Sequence, residues 1–262
     1  MASVRRLPMI LRPLRKACST FTSTSSTARE VQVVSFDVND TLISEGEPFN
    51  EVYSRVASDN GVDVNPDSIA NSYPKYMKDL SDKHPCFGFS SIGDFEWWKR
   101  IVVGCLQEGC STKINRDTAN EIAHDLYDFY ATAKAWKLID PKLKSVLENL
   151  RKKGVGLVVV SNFDARVRSV LQEFGLYDLF DVIVASGEIG VEKPSPKIFE
   201  KVQEHFQLSN ASQMLHIGDN VEKDYRAALD FGANALLFDP LCINAEVSPA
   251  DKISSISELR VD

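Results

Sequence analysis

Hydrophobic and polar positions fall into two patterns along the chain. Short runs of β-branched and other apolar residues stand at 31–37, 155–161, 182–186, 213–217 and 234–238, each bounded by polar or glycine-containing segments. Helical spacing fills the intervals between the later runs. Strands alternating with helices predict an α/β protein built on a doubly wound, Rossmann-like, mostly parallel sheet. One helix is expected over 164–174, opening at Asp164 as N-cap and stopping at Gly175. Another begins near Pro196 and runs through Phe199, Val202 and Phe206, and a third spans Glu222–Phe231 and stops at Gly232.

The stretch between the first two runs is far longer than an ordinary crossover, so something folded is inserted there. Residues 45–136 read as helices: Phe49–Asn60 ending at Gly61, a segment near 67–80 broken at Pro74, Asp94–Gln107 ending at Gly109, and Asp117–Tyr130. The 81–93 stretch, with Pro85, Gly88 and Gly93, reads as an irregular, mobile loop. Trp97 and Trp98 either line an entrance or pack between helices, and packing is the simpler reading. Residues 30–44 and 137–262 are left to form the sheet.

Chemistry gathers where the apolar runs stop. Val33-Val34-Ser35-Phe36 runs into Asp37-Val38-Asn39-Asp40-Thr41-Leu42, and Val158-Val159-Val160 runs into Ser161-Asn162. Lys193-Pro194 follows, then His216-Ile217-Gly218-Asp219-Asn220 with Asp224 beyond it. In an open α/β sheet, strand ends converge on the carboxyl edge. One acid, one hydroxyl, one lysine and an acid pair read as a nucleophile, two anion binders and a metal site. Taken singly, Asp37 would cap a turn, Ser161 would cap the next helix and Lys193 would be a surface lysine. His216, on an apolar strand, reads as a satisfied core residue, and His84, His124 and His205 form no ligand set. Asp164 and Arg166 read as a helix cap and a solvated helix face, with substrate contact as the alternative.

These four motifs, in this order, resemble those of the haloacid dehalogenase (HAD) superfamily of aspartate-nucleophile hydrolases, over roughly residues 30–258. Asp37-Val38-Asn39-Asp40-Thr41-Leu42, Ser161-Asn162-Phe163-Asp164 and His216-Ile217-Gly218-Asp219-Asn220 are similar in detail to its haloacid dehalogenase-like hydrolase domain-containing protein 3 branch. The resemblance implies that 45–136 is a helical cap over a HAD core. It implies Asp37 as nucleophile and Mg²⁺ held by Asp37, Asp219 and the backbone carbonyl of Asn39, with Asp224 and Asn220 in support. Ser161, Asn162, Thr41 and Lys193 would bind phosphate, and Lys193 would balance its charge. The expected partner is a small phosphorylated molecule.

One position departs from the pattern. HAD phosphatases carry a second Asp two residues after the nucleophile, as general acid and then base; here Asn39 stands there. An amide hydrogen-bonds but exchanges no proton at useful pH, a loss worth about 10²–10⁴-fold in rate. Three readings follow. The first is a Mg²⁺-dependent hydrolase favouring leaving groups that need no proton, such as acyl or aryl phosphates. The second is a non-catalytic phosphate-ligand binder or interaction protein on the same scaffold. The third, a haloacid dehalogenase, ranks last, because that reaction has no use for the retained metal acids.

Charge adds one more expectation. The net charge is −7, yet residues 1–29 hold Arg5, Arg6, Arg12, Arg15, Lys16 and Arg29 and no acid, leaving all 37 acidic residues to the body. An acidic body gives no support for nucleic-acid binding. The Arg-rich, Ser/Thr-rich, acid-free segment reads as a transit peptide, for a mitochondrion or, second, a plastid; the other reading is a disordered tail on a cytoplasmic protein. No apolar stretch is long enough to span a membrane. Cys86, Cys105, Cys110 and Cys242 show no zinc spacing, and free thiols are expected.

Overall fold

The computed structural model describes residues 31–110 and 113–260, so the 1–29 segment lies outside the described residues. The elements begin with Val33–Phe36 (β1) and Ile43–Glu45 (β2). Helices Phe49–Asp59 (α1), Pro66–Lys83 (α2), the single turn Pro85–Gly88 (α3), Asp94–Gly109 (α4) and Arg116–Tyr130 (α5) precede Trp136–Leu138 (β3). There follow Leu143–Lys152 (α6), Gly156–Ser161 (β4), Val167–Glu173 (α7), Val182–Ala185 (β5) and the turn Ser186–Ile189 (α8). Lys197–Phe206 (α9), Met214–Gly218 (β6), Ala227–Phe231 (α10), Asn234–Phe238 (β7) and Lys252–Ile253 (β8) complete the fold.

The main sheet has the order β5-β4-β1-β6-β7-β8, and each neighbouring pair is parallel. Side-chain alternation explains its two covers. Val34, Phe36, Leu157 and Val159 pack with Leu143, Leu147, Val167 and Val170 of α6 and α7. Val33, Val158 and Val160 pack with Ile198, Phe199, Val202 and Ala227 of α9 and α10. Because β1 lies between β4 and β6, the residues after these three strands meet at one edge.

Helices α1, α2, α4 and α5 hold a separate apolar core around Val52, Ile69, Trp97, Ile101, Leu106 and Ile122. The chain enters and leaves this insertion through an antiparallel ribbon of β2 and β3, in which Glu45 faces Trp136. The ribbon is too short to give a period in the sequence, and α6 and β8 were likewise not read there. No described helix is long and apolar enough to cross a membrane.

Four expectations need correction. Helix α2 is continuous through Pro74; the proline sits on its exposed face, where water can pair the carbonyl freed by the missing N–H, and packing against α1 and α4 outweighs the loss. The 164–174 helix begins only at Val167, because Asp164 closes a tight turn by accepting Arg166 N–H. The 222–231 helix opens as a π-helical turn over Val221–Arg226 before α10. The 81–93 stretch is also less loop-like than expected, since α2 reaches Lys83. Cys86 and Phe87 follow in the left-handed region, at φ 50° and 56°, which is strained for a bulky residue.

Candidate active site

Asp37 follows β1 directly, and its N–H donates to Ile217 O of β6 at 2.9 Å, fixing the carboxylate at the carboxyl edge of the sheet. The next turn is tight: the N–H groups of Thr41, Leu42 and Ile43 all converge on Val38 O. It puts Asp40 at φ 56°, a conformation that Asp tolerates better than most residues. Asn39 Nδ2 donates to Asp40 Oδ2 at 2.9 Å. Burial and the charge of Asp37 nonetheless raise the Asp40 carboxyl above its usual range.

Lys193 is 2% exposed and threads into this cluster from the loop before α9. Its Nζ donates to Asp37 Oδ1 at 2.7 Å and to Asp224 Oδ1 at 2.5 Å. Burial opposes its charge, but the two carboxylates prevail and lift its pKa above normal. Asn162 aims the loop: Lys193 N–H donates to Asn162 Oδ1 at 2.8 Å, and Asn162 Nδ2 donates to Lys193 O at 2.9 Å. The Asn162 side chain thus serves the lysine.

Asp224 is fully committed. Its Oδ2 accepts Asn220 N–H at 2.9 Å, and its Oδ1 also meets His216 Nε2 at 3.1 Å. Burial alone would raise Asp224; Lys193 and His216 hold it well below the usual carboxylate range. His216 is pushed down by burial and by Lys193. A neutral ring with its proton on Nε2 donates to Asp224 and accepts at Nδ1 from Ser35 Oγ, 2.8 Å away. A Cβ on Gly218 would overlap the Asp224 carboxyl, so glycine is required there.

Asp219 stands beside this network. Thr41 Oγ1 donates to its Oδ1 at 3.4 Å. Burial, then the charges of Asp37, Asp224 and Asp40, push its pKa up to about 7. One carboxylate oxygen from each of Asp37, Asp219 and Asp224 lies within 4.8 Å of the others. Clustered hard oxygens with too little positive charge suit a small divalent cation, so the donor set fits Mg²⁺.

Ser161 ends β4 at the same edge and is buried. Two residues sit otherwise than expected. The Asn220 side chain turns outward to accept Glu222 and Lys223 N–H, and only its backbone reaches Asp224. Arg166 is buried rather than on a solvated face: its guanidinium forks onto both Asp164 oxygens at 2.9 and 2.6 Å. The guanidinium lies 5.1 Å from the Trp98 ring centre and 4.2 Å from that of Tyr127. Trp98 Nε1 donates to Asp164 Oδ2, whereas Trp97 packs inside the insertion and donates to His84 O. His216 as partner of Asp224 and the Trp98–Asp164–Arg166 contact escaped the sequence, which carries no spacing that joins such distant positions.

Beneath the insertion, Asn39 and Asn162 floor a cavity of about 250 Å³ that Trp98, Tyr127 and Arg166 also line. A wider hollow of about 600 Å³ opens at the opposite end of the strands, around Gln32, Gly156 and Asp181, and holds none of this chemistry. The described cysteines are free.

A family model described as haloacid dehalogenase-like hydrolase matches residues 31–232. The chain is 29% identical over 211 residues to haloacid dehalogenase-like hydrolase domain-containing protein 3 of Xenopus laevis, covering 80% of this chain and 85% of that protein. In fold it is similar to a 2-haloacid dehalogenase from Pseudomonas syringae pv. Tomato DC3000, with TM-score 0.65, 21% identity, and coverage of 87% of this chain and 96% of that one. It is similar as well to a HAD phosphatase from Thermococcus onnurineus, with TM-score 0.60, 20% identity and the same coverage. Resemblance to both kinds of enzyme leaves the reaction to the site.

Proposed function

The chain belongs to the haloacid dehalogenase-like hydrolase family, and on that premise we propose that it hydrolyses a small phosphorylated molecule through attack by Asp37 on phosphorus. The observation that carries this reading is Lys193 Nζ seated between Asp37 and Asp224, with Asp219 beside them. Such a cluster of acids around a single ammonium suits a dianionic group approached together with a cation, and the acids that would hold that cation have no use in carbon–halogen cleavage.

The Asp37 oxygen turned from Lys193 forms the bond to phosphorus while the bond to the leaving oxygen breaks, giving an aspartyl-phosphate. Lys193 offsets charge on Asp37 and on the transferring group. The Ser161 hydroxyl and the N–H groups of the turn at Asn162 donate to the phosphoryl oxygens. Asp37, Asp219 and the Asn39 carbonyl would hold Mg²⁺, which when bound neutralises phosphate charge. Asp224 and His216 position Lys193. Water then attacks the phosphorus and frees Asp37. The helical insertion over 45–136 acts as the cap that closes this site and selects its substrate.

Asn39 restricts the substrate. Its amide is turned onto Asp40 and supplies no proton to a departing alkoxide, so acyl and aryl phosphates are the substrates of choice. The same observation favours a second reading, a phosphate-ligand binder without turnover. Phosphate release from acetyl and para-nitrophenyl phosphate with Mg²⁺, abolished in Asp37→Asn, is the expected result. Silence in the natural protein with activity in Asn39→Asp would favour the binder. For residues 1–29 we propose import into a mitochondrion, read out by imaging a fluorescent fusion; plastid or cytosolic fluorescence would overturn it.

A further inference from the structure

The cavity above Asn39 and Asn162 is walled by rings. Phe49 and Tyr73 lie with centroids 4.4 Å apart, Tyr53 meets Tyr130 at 6.3 Å, and Tyr130 meets Trp136 at 5.8 Å. On the far side Phe87 stacks on Trp98 at 5.9 Å, held there by the left-handed backbone of the 86–87 turn. All of these side chains line the cavity.

Its free positive charge is small. Among the described residues Arg166 is the single cation in the lining, and Asp164 takes up its fork while two aromatic faces enclose it. No ammonium or guanidinium is left for a second phosphate or a carboxylate, and Glu45 in the lining repels both. Among the described residues, Tyr130 Oη is the fully buried side-chain oxygen without a hydrogen-bond partner. A buried hydroxyl left unpaired is costly, and the face of a bound ring would remove part of that cost.

From this geometry we infer that the cavity holds the organic part of the substrate, a flat uncharged aromatic group of one or two rings, so that the substrate is an aryl monophosphate. The inference rests on Asp37 attacking phosphorus and deepens that reading by naming the substrate class. Size agrees: a cavity of roughly 150 Å³ admits benzene, and this one measures about 250 Å³. Chemistry agrees independently. As the Asp37–phosphorus bond forms and the phosphorus–aryl oxygen bond breaks, the electron pair leaves on a phenolate, which needs no proton from position 39 and takes one from solvent later. The ring-lined cavity and the missing acid point to the same substrate.

The test measures kcat/KM of the full chain with Mg²⁺ for 2-naphthyl phosphate, glucose 6-phosphate and acetyl phosphate. Met77→Phe and Ala123→Phe, which fill the cavity from two sides, are compared with the natural protein. Naphthyl phosphate is expected to exceed glucose 6-phosphate roughly tenfold or more, and each filling variant to lower the naphthyl-to-acetyl ratio by roughly tenfold. Turnover of acetyl phosphate with no naphthyl preference, or with a ratio that neither variant moves, overturns the inference and leaves the phosphoryl-transfer reading standing. If none of the three is turned over, that reading fails. Calorimetric titration with 2-naphthyl phosphate then decides on the cavity: binding lost in both filling variants upholds an aryl site, and no binding to the natural protein overturns it.

Discussion

Trp98 Nε1 donates to Asp164 Oδ2 across 2.7 Å, joining helix α4 of the insertion to the loop after β4 of the sheet. The acceptor is buried and already ionically paired with Arg166, so the bond is charge-assisted. Trp98→Phe keeps a ring over Arg166 and removes this donor. Urea denaturation is expected to show a loss of about 1.5–3 kcal/mol, and steady-state kinetics a larger effect on KM than on kcat. Unchanged stability and KM would mean that the contact does not tie the two parts together.

Removing the Lys193 ammonium leaves Asp37 and Asp224 without their shared cation. Lys193→Met is therefore expected to cost about 3–5 kcal/mol of stability, as for a broken buried ion pair, and to lower kcat about 10²–10³-fold, as for a lost charge-stabilising donor. Lys193→Arg is not expected to restore activity, because the planar fork does not fit where one nitrogen meets two carboxylates. Rescue by arginine would show that charge alone matters there.

Burial and the charges of Asp37, Asp224 and Asp40 push the Asp219 pKa up to about 7, against 3.8 for an unperturbed Asp. A carboxyl raised by folding supports the native state fully at pH values below the unperturbed pKa. That support disappears as the pH climbs through the folded value. A divalent cation competes with the same proton. Differential scanning fluorimetry should therefore show a larger gain in Tm from millimolar Mg²⁺ at about pH 8 than at about pH 5.5, and little gain in Asp219→Asn. Equal gains at both pH values in the natural protein would sink the assignment of Asp219 as a ligand.

Asn39→Asp restores a proton donor beside Asp37. Turnover of alkyl phosphates is expected to rise about 10²–10⁴-fold, and turnover of aryl phosphates far less, since phenolates leave unprotonated. A uniform gain across both classes would show that Asn39 limits a step other than leaving-group departure.

Tyr130→Phe deletes the unpaired hydroxyl and nothing else that is hydrogen-bonded. The ligand-free protein should become more stable by about 1 kcal/mol, measured by chemical denaturation. Destabilisation instead would reveal a partner for Tyr130 Oη in solution.

The sheet and the chemistry at its edge were legible because Asp37, Ser161 and Asp219 each end an apolar run, and the run itself is visible as a pattern. Asp37, Ser161 and Asp219 needed only the rule that strand ends share an edge. What stayed hidden depends on distant pairs. Ser35 and His216 are both inconspicuous strand residues until β1 and β6 align in register and make them neighbours. Arg166 looked solvated because its partners Trp98 and Tyr127 belong to the insertion. Pro74 misled for the opposite reason: its local signal is strong, and only packing of α2 on both neighbours overrides it. The left-handed Cys86 and Phe87 follow from no propensity at all.

The ribbon of β2 and β3 has a consequence for how such a chain can be remodelled. Since Glu45 and Trp136 already lie opposite each other, a short hairpin could bridge them and the whole helical lobe could be exchanged like a cassette. Asp37, Lys193, Asp219 and Asp224 all lie outside the excised stretch, so the reagent would stay constant while the mould around its target is recast.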